Sequence, residues 1–328
     1  MAEKKIIAVV GATGAQGGGL VRAILANPAG LFAARAITRR PDSDRARALA
    51  AAGVEVIAGD ADDPPTLRSA FDGAHGAYCV TNYWEHMSPE SELRQASAMA
   101  RAARQAGVSH VVWSTLEDTR ERVPLDDARL PTLQGGYKVP HFDAKGEADE
   151  VFAREGPPTT YLRAAFYWDN FIFFGVGPRR GADGGLVLAL PLGGARLPGI
   201  AAEDIGKCAL GVFQRGAELV GKHVGIAGEI LSGPEMAGAM GRALGQPVQF
   251  LDVPFDAYRA LGFPGADDLG NMFEYQALYE EEFCRSRDVA LSRSLAPEIQ
   301  SFATWLERNA ARIPIPGTSA DAEAPPPA

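Results

Sequence analysis

The sequence predicts an α/β fold: a doubly wound parallel sheet of the Rossmann type, followed by a smaller C-terminal α/β lobe. Two observations predict it. In the first half of the chain, short apolar runs alternate with longer segments rich in Ala, Leu and Arg, and the first run breaks into the glycine-rich turn VVGATGAQGGG. Because short right-handed crossovers turn a β-α-β order into a parallel sheet with helices on both faces, this alternation predicts the architecture.

Each element of the first half carries its own signal. The strand-like runs are KIIAVV, ARAIT, VEVIAG, AYCVT and HVVWST, and the helical segments between them are AQGGGLVRAILAN, SDRARALAAAG, PPTLRSAFDG and PESELRQASAMARAARQAG. Pro64 and Pro65 lead one first turn, and Ser88 precedes Pro89 at the start of the fourth helix, as is typical of helix N-termini. The local signals therefore agree with the predicted order.

The second half continues the pattern once and then loses its rhythm. HFDAKGEADEVFAREG predicts a further helix, TTYLRAAF a sixth strand, and GPEMAGAMGRALG and PEIQSFATWLERN two later helices. We expect a Rossmann domain over residues 1–180, late sheet elements over about 181–230, the smaller lobe over 231–312 and a disordered tail over 313–328. The tail is rich in Pro and Ala and has nothing to bury.

Composition and charge argue against several classes of function. The formal net charge of −9 disfavours nonspecific binding of nucleic acid, which needs a basic face. No apolar run is long enough to span a bilayer, and the cysteines form none of the short pairs that zinc sites use, so we expect neither a membrane span nor a metal. Three distant cysteines and a start without a signal peptide predict a cytoplasmic protein.

The glycine turn predicts a site for a dinucleotide. Gly11, Gly14 and Gly17 follow the first strand and open the first helix with G-x-x-G-x-x-G spacing. The first glycine permits a tight turn, the second lets the backbone approach a pyrophosphate, and the third lets the helix pack on the strand, while free N–H groups at the helix start face the phosphates. The alternative is a turn that serves only helix–strand packing.

The residues after the second strand indicate which dinucleotide binds. A fold that prefers NAD places Asp or Glu there to take the ribose 2′-hydroxyl, whereas this chain has Thr38, Arg39 and Arg40. Two guanidiniums suit the 2′-phosphate of NADP, so we expect NADP(H), with Arg39 as the first choice of ligand. Asp60 and Ala61 follow the third strand, where adenine would lie, although Asp60 also suits a helix entry.

Three further runs carry a resemblance to a known family. VTNYWE (80–85), HFDAKGE (141–147) and LGFPGADDLGNMF (261–273), with the glycine spacing and the lack of a Tyr-x-x-x-Lys pair, resemble the NmrA-like family. That family is an atypical branch of the short-chain dehydrogenase/reductase superfamily. The resemblance is strongest to the redox-sensor members found in animals. It implies a Rossmann domain that binds NADP(H), a smaller lobe, and a redox-sensing role in transcriptional regulation through a regulatory protein partner. It leaves a homodimer open.

The resemblance also implies a set of cofactor-binding residues, carried over by matching motif. They are Gly11, Thr13, Gly14, Ala15, Gln16, Gly17, Arg39, Asp60, Ala61, Thr81, Asn82, Tyr83, Trp84, Lys145, Tyr167, Trp168, Asp169 and Asn170. The last four open an aromatic run that follows the sixth strand. We expect its beginning to line the nicotinamide side of the site, and its later phenylalanines to pack into the core.

The residues that perform catalysis in the superfamily are only partly present. Reductases of that superfamily use a tyrosine acid four residues before a lysine, but here His141 stands before Lys145, with Ser114 at the end of the fifth strand. We expect His141 to be a helix-start residue that bonds to nearby backbone. The sequence therefore predicts no catalytic residue and a sensor without dehydrogenase activity. The alternative is an NAD(P)H-dependent reductase of quinones or carbonyls.

Overall fold

A sheet of seven parallel strands forms the centre of the protein, in a computed structural model that describes residues 3–27 and 29–316. Its strand order is β11-β6-β5-β4-β1-β2-β3, with all neighbours parallel. The strands are β1 (Lys5–Val10), β2 (Phe32–Thr38), β3 (Glu55–Ala58), β4 (Gly76–Cys79), β5 (His110–Thr115), β6 (Thr159–Arg163) and β11 (His223–Gly225). The predicted Rossmann sheet is confirmed.

The chain changes direction across the sheet at β1. From β1 it proceeds through β2 to β3 at one edge, and then returns to β4 on the other side of β1. A crevice opens at the carboxyl ends of the strands where the order reverses, and ligands of doubly wound folds bind there. The segments that follow β1, β2 and β4 therefore meet at one place.

Helices cover both faces of this sheet. They are α1 (Ala15–Leu25), α2 (Asp44–Ala51), α3 (Pro64–Phe71), α4 (Tyr83–His86), α5 (Pro89–Gln105), α6 (Pro140–Glu155) and α8 (Ala202–Arg215). Alternate strand residues point to opposite faces: Ile7 and Val9 join the core under α1 and α8, whereas Ala8 joins the core under α3, α5 and α6. The α1–α8 contact is close, since a Cβ on Gly206 would lie 2.0 Å from the Leu20 nitrogen.

Two small three-stranded sheets and the remaining helices lie beyond the main sheet. One sheet contains β7 (Phe166–Tyr167), β10 (Leu197–Ile200) and β12 (Glu229–Leu231), and the other contains β8 (Arg179–Arg180), β9 (Leu186–Leu190) and β13 (Val248–Asp252). The helices are α7 (Asn170–Phe173), α9 (Gly233–Leu244), α10 (Phe255–Arg259), α11 (Ala266–Leu278), α12 (Glu280–Ser286), α13 (Val289–Leu295) and α14 (Phe302–Asn309). Short 3₁₀ turns lie at Thr119–Glu121, Gly216–Leu219 and Ala310–Arg312.

The structure corrects two predicted elements and leaves others untested. The sixth strand ends at Arg163, and Phe166–Tyr167 pairs instead with β10 in a different sheet. The last helix begins only at Phe302, because the Ser301 hydroxyl caps it by accepting from the Thr304 N–H at 3.2 Å. The domain limits near residues 180 and 231 stay predictions. Most of the predicted tail, residues 317–328, lies outside the described residues.

The described residues contain neither a membrane-spanning helix nor a cluster of metal-binding side chains. Within 3–27 and 29–316, no helix combines the length and apolar character needed to cross a bilayer. Over the same ranges, no three His, Cys, Asp or Glu side chains converge as a metal site would require.

Candidate cofactor and catalytic site

The glycine turn joins β1 to α1 at the carboxyl edge of the sheet. Gly11 has φ +65°, a left-handed conformation that favours glycine. A Cβ on Gly17 would lie 2.5 Å from the Gly11 carbonyl oxygen, so α1 packs against the turn as only glycine allows. Gly14 begins the helix with no side-chain cap, which leaves the first N–H groups for another acceptor. Gly11, Thr13, Gly14 and Ala15 thus lie together in the turn where the sequence predicts a pyrophosphate.

The Gln16 side chain has a different role from the one predicted. Its amide nitrogen donates to the Tyr167 hydroxyl, and its amide oxygen accepts from the Tyr78 hydroxyl and from Ser114 Oγ, the latter at 2.8 Å. Burial raises the pKa of both tyrosines well above the usual value, so both hydroxyls stay protonated. Gln16 therefore joins the ends of β4, β5 and β7 beneath the glycine turn, and it also occupies the hydroxyl of Ser114.

The expected phosphate ligand, Arg39, is bound by a carboxylate, and the sequence did not predict this pairing. Its guanidinium nitrogens donate to both oxygens of Glu85 on α4, at 2.6 and 2.9 Å. A cation that the sequence analysis did not single out is Arg45 on α2, whose guanidinium donates to the Thr13 carbonyl at 3.4 Å. Arg45 therefore borders the glycine turn, and Arg39 follows β2, the neighbour of β1 in the sheet.

Asp60 and Ala61 lie in the turn after β3, as predicted, but the Asp60 carboxylate serves that turn. Its Oδ1 accepts from the Asp62 N–H at 2.9 Å, and the Asp60 N–H donates to the Thr66 hydroxyl at 2.9 Å. These contacts support the helix-entry interpretation of Asp60. The Asp60 backbone lies after the carboxyl end of β3.

Lys145 belongs to a buried charged cluster. Its ammonium donates to Thr81 Oγ1 and to Glu92 Oε1, each at 2.6 Å, and the Thr81 hydroxyl donates to the same Glu92 oxygen. His86 Nδ1 accepts from the Ser88 N–H, and His86 Nε2 lies 3.5 Å from the other Glu92 oxygen. Thr81 and Lys145 are therefore close together, as predicted, but their polar atoms face a carboxylate on α5 that the sequence did not single out.

The charge of Glu92 is stabilised strongly. Burial alone would raise its pKa, but the charge of Lys145, the nearby His86 imidazole and the hydrogen bonds from Lys145 and Thr81 outweigh burial and lower the pKa to about 2. The side chain is wholly buried. An ion pair in this position holds α5, α6 and the segment after β4 in a single arrangement.

His141 forms a buried pair with an aspartate from the distant helix α11. Its Nδ1 lies 2.6 Å from Asp268 Oδ1, and its backbone N–H donates to Asp268 Oδ2 at 3.1 Å. The expectation that the imidazole bonds to nearby backbone was wrong. The carboxylate accepts a hydrogen bond from the Nδ1–H group, which fixes the orientation of the ring. The other ring nitrogen, Nε2, has no hydrogen-bond partner within residues 3–27 and 29–316.

Aromatic side chains surround this pair. The rings of Trp84 and His141 have centroids 4.8 Å apart, and Tyr83 lies at 6.0 Å from the same imidazole. A cavity of about 60 Å³ borders Tyr83, Trp84 and Asp268. Asn82 lies exposed at the start of α4. The segment after β4 therefore contacts the face of α6 that carries both His141 and Lys145, because residues four apart share one helix face.

The division of residues 167–170 between the crevice and the core differs from the prediction. Trp168 is 1% exposed and packs on Phe302 and Trp305, so its side chain belongs to the core and not to the crevice. Asp169 caps α8 by accepting from the Ala202 N–H at 2.8 Å, and Asn170 begins α7. Tyr167 alone of these four reaches the residues of the glycine turn, through Gln16.

The later phenylalanines were predicted to be core residues, and this holds for only part of them. Phe171 is fully buried, whereas Phe173 is 55% exposed, with the Arg312 guanidinium 5.7 Å from its ring centroid. Phe171 and Phe173 are two positions apart in α7 and therefore point to nearly opposite sides of the helix, so one side of the run remains at the surface.

Comparison with known proteins gives one family over most of the chain. A sequence profile of the NmrA-like family matches residues 3–306. An NmrA-like family domain-containing oxidoreductase, FrzB of Cladobotryum sp, is 28% identical over 82% of this chain and 83% of its own length. An NAD(P)H azoreductase of Xenophilus azovorans is 27% identical over 79% of this chain and 82% of its own length.

A solved structure shows the same fold. NmrA, a negative transcriptional regulator crystallised in complex with NADP, superposes with a TM-score of 0.77 at 23% identity, covering 94% of this chain and 96% of its own. The profile match and the superposition confirm the resemblance carried by the three sequence runs. This chain is a member of the NmrA-like family.

Proposed function

We propose that this protein is an NADP(H)-dependent oxidoreductase of the NmrA-like family. The turn supports the cofactor: the start of α1 has no side-chain cap, and a Cβ at Gly17 would fill the space against Gly11. Arg39 and Arg45 supply cations beside that turn for a 2′-phosphate. The relatives named above include an oxidoreductase and an NAD(P)H azoreductase.

The observation that carries the catalytic part of the proposal is the His141–Asp268 pair. It lies one helical turn before Lys145, on the face of α6 turned toward the segment after β4. When bound, the reduced nicotinamide supplies a hydride. The substrate then needs a proton, and the His141 side chain, whose ring is oriented by Asp268, can donate one from Nε2. This pair supplies the proton donor that the missing tyrosine would have provided.

Lys145 has a supporting role in this arrangement. Its ammonium is shared by Glu92 and Thr81, each at 2.6 Å, so its charge is neutralised within the fold. It fixes the segment after β4, including Trp84, against α6. The position of the aromatic side chains around His141 therefore depends on an ion pair that takes no part in proton transfer.

A second candidate function is a redox sensor that binds NADP(H) and acts through a regulatory protein partner. The observation that favours it is the engagement of Lys145 with Glu92, since the superfamily's reductases use this lysine beside a tyrosine that is absent here. A protein partner, a homodimer and a cytoplasmic location belong to this proposal as well.

Turnover with NADPH tests the proposal. We expect the purified full chain to consume NADPH with at least one acceptor from a panel of quinones, carbonyls and azo dyes, followed by the absorbance of the reduced nicotinamide. Gly14→Val should lose cofactor binding, because its Cβ would lie 3.2 Å from the Gly11 carbonyl oxygen, where a pyrophosphate needs close approach.

The control is Gly136→Val, since a Cβ at Gly136 meets no atom within 4 Å. Circular dichroism checks that both variants fold. NADPH binding without consumption of NADPH by any acceptor would favour the sensor. Unchanged binding in a folded Gly14→Val protein would contradict the cofactor site.

A further inference from the structure

We propose that Glu85 sets the preference of this protein between NADP(H) and NAD(H), by competing with the 2′-phosphate for Arg39. The inference rests on the proposed function, in that it assumes a dinucleotide at the glycine turn. It concerns a residue outside that turn and outside β2, where the preference of such folds is ordinarily determined.

The first support is the geometry of the Arg39–Glu85 pair. Arg39 follows β2 and Glu85 lies on α4 after β4, and these two strands flank β1 on either side. The pair therefore spans the carboxyl edge of the sheet above the glycine turn. Arg39 Nη1 donates to Glu85 Oε1 at 2.6 Å and Nη2 donates to Oε2 at 2.9 Å, so the guanidinium edge that would bind a phosphate is already occupied.

The second support is the charge around Arg39. Its hydrogen bond to Glu85 raises its pKa, opposed by partial burial, and the charges of Glu85, Asp60 and Asp62 raise it further. The arginine thus lies among three carboxylates. An incoming 2′-phosphate must displace Glu85 from Arg39, or lie close to that carboxylate and be repelled by it.

The third support is the exposure of the pair. The side chains of Arg39 and Glu85 are 54% and 44% exposed, so solvent screens their attraction and a stronger anion can displace the carboxylate. The phosphate carries more charge and more acceptor oxygens than a carboxylate. The neutral 2′-hydroxyl of NAD(H) cannot displace Glu85 in this way.

With NAD(H), Glu85 has a favourable role. A carboxylate near the ribose can accept a hydrogen bond from the 2′-hydroxyl, which is the role of the acidic residue after β2 in NAD-dependent folds. Here the residues after β2 are basic, and the carboxylate comes from α4. Glu85 therefore weakens binding of one cofactor and supports binding of the other.

The test is the ratio of the dissociation constants for NADH and NADPH, measured by titration calorimetry on the full chain at fixed salt. Glu85→Gln should tighten NADPH binding about two- to fivefold, the range expected from the strength of an exposed ion pair. It should leave NADH binding unchanged or weaker. In an Arg39→Ala background, Glu85→Gln should leave NADPH affinity unchanged.

The matched control is Glu55→Gln. Glu55 is also about half exposed and pairs with an arginine, Arg35, at 2.7 Å, but it lies at the amino end of β3, opposite the crevice. The Glu55→Gln substitution removes one negative charge, as Glu85→Gln does, but it should not change the ratio of the dissociation constants for NADH and NADPH. A ratio that is the same in the parent and in Glu85→Gln, with both cofactors bound, overturns this inference alone. A parent that binds neither cofactor overturns this inference and the proposed function together.

Discussion

Lys145→Met is expected to lower the free energy of unfolding by about 3–5 kcal/mol, the loss typical when one partner of a buried ion pair is removed. The substitution leaves the Glu92 carboxylate wholly buried, without the ammonium that lies 2.6 Å from it. Urea unfolding at neutral pH measures the loss. The double variant Lys145→Met with Glu92→Leu should be more stable than Lys145→Met alone, because no uncompensated charge remains.

The same pair should make stability depend on pH in a defined direction. The folded-state pKa of Glu92, about 2, lies below its value in an unfolded chain. The stabilisation is therefore fully present above about pH 5 and is lost as the pH falls toward 2. In the Lys145→Met protein, burial raises the pKa of Glu92, and the loss of stability on acidification should therefore be smaller than in the parent. A Lys145→Met protein as stable as its parent would show that the pair does not hold the site together.

His141→Ala is expected to lower the turnover number about 10²- to 10⁴-fold, the usual contribution of a positioned general acid. Cofactor affinity should change little, because the His141 ring contacts Asp268, Trp84 and Tyr83 and makes no hydrogen bond or ring contact with the glycine turn among the described residues. Added imidazole should restore part of the activity of His141→Ala by supplying the missing acid, which a purely structural defect would not allow.

The control for this prediction is His223→Ala. His223 lies on β11 at the edge of the sheet and pairs with Asp149 at 3.0 Å, so its loss should leave turnover unchanged. Equal losses in the two histidine variants, or a His141→Ala protein with parental turnover, would remove His141 from the mechanism.

The sequence was sufficient for the parts of the fold that local patterns determine. Strands β1 to β6 and the helices α1, α2, α3, α5 and α6 each have a period, a cap or a proline visible within a few residues. The glycine turn is also a contiguous motif, and Gly11 and Gly17 have the predicted backbone roles. The short strand Phe166–Tyr167 was misassigned, because its apolar run continues that of β6 while its partner, β10, lies in another sheet.

The polar partners in the site could not be predicted in the same way. Glu85, Glu92 and Asp268 lie 46, 53 and 127 positions from Arg39, Lys145 and His141. Only the packing of α4, α5 and α11 brings these carboxylates to their partners, and no short spacing in the sequence indicates such long-range pairs. Asp268 and Glu85 each had one signal: they lie within the runs LGFPGADDLGNMF and VTNYWE, which carry the family resemblance. The prediction that Trp168 lines the site was wrong for a related reason: position in the chain does not determine the direction of a side chain.

Hydride transfer from the bound cofactor tests the central claim most directly. NADPH carrying deuterium at the transferring position of nicotinamide C4 is incubated with the purified protein and each acceptor of the panel, and the recovered cofactor is examined by mass spectrometry, because deuterium that reaches a quinone oxygen or an azo nitrogen exchanges with water. We expect the NADP formed with at least one acceptor to have lost the deuterium, any carbonyl-derived product to carry it on carbon, and Gly14→Val to give neither result. Deuterated NADPH recovered unchanged with every acceptor, in a protein that binds NADPH by calorimetry, would contradict the oxidoreductase and leave a protein that only binds its cofactor.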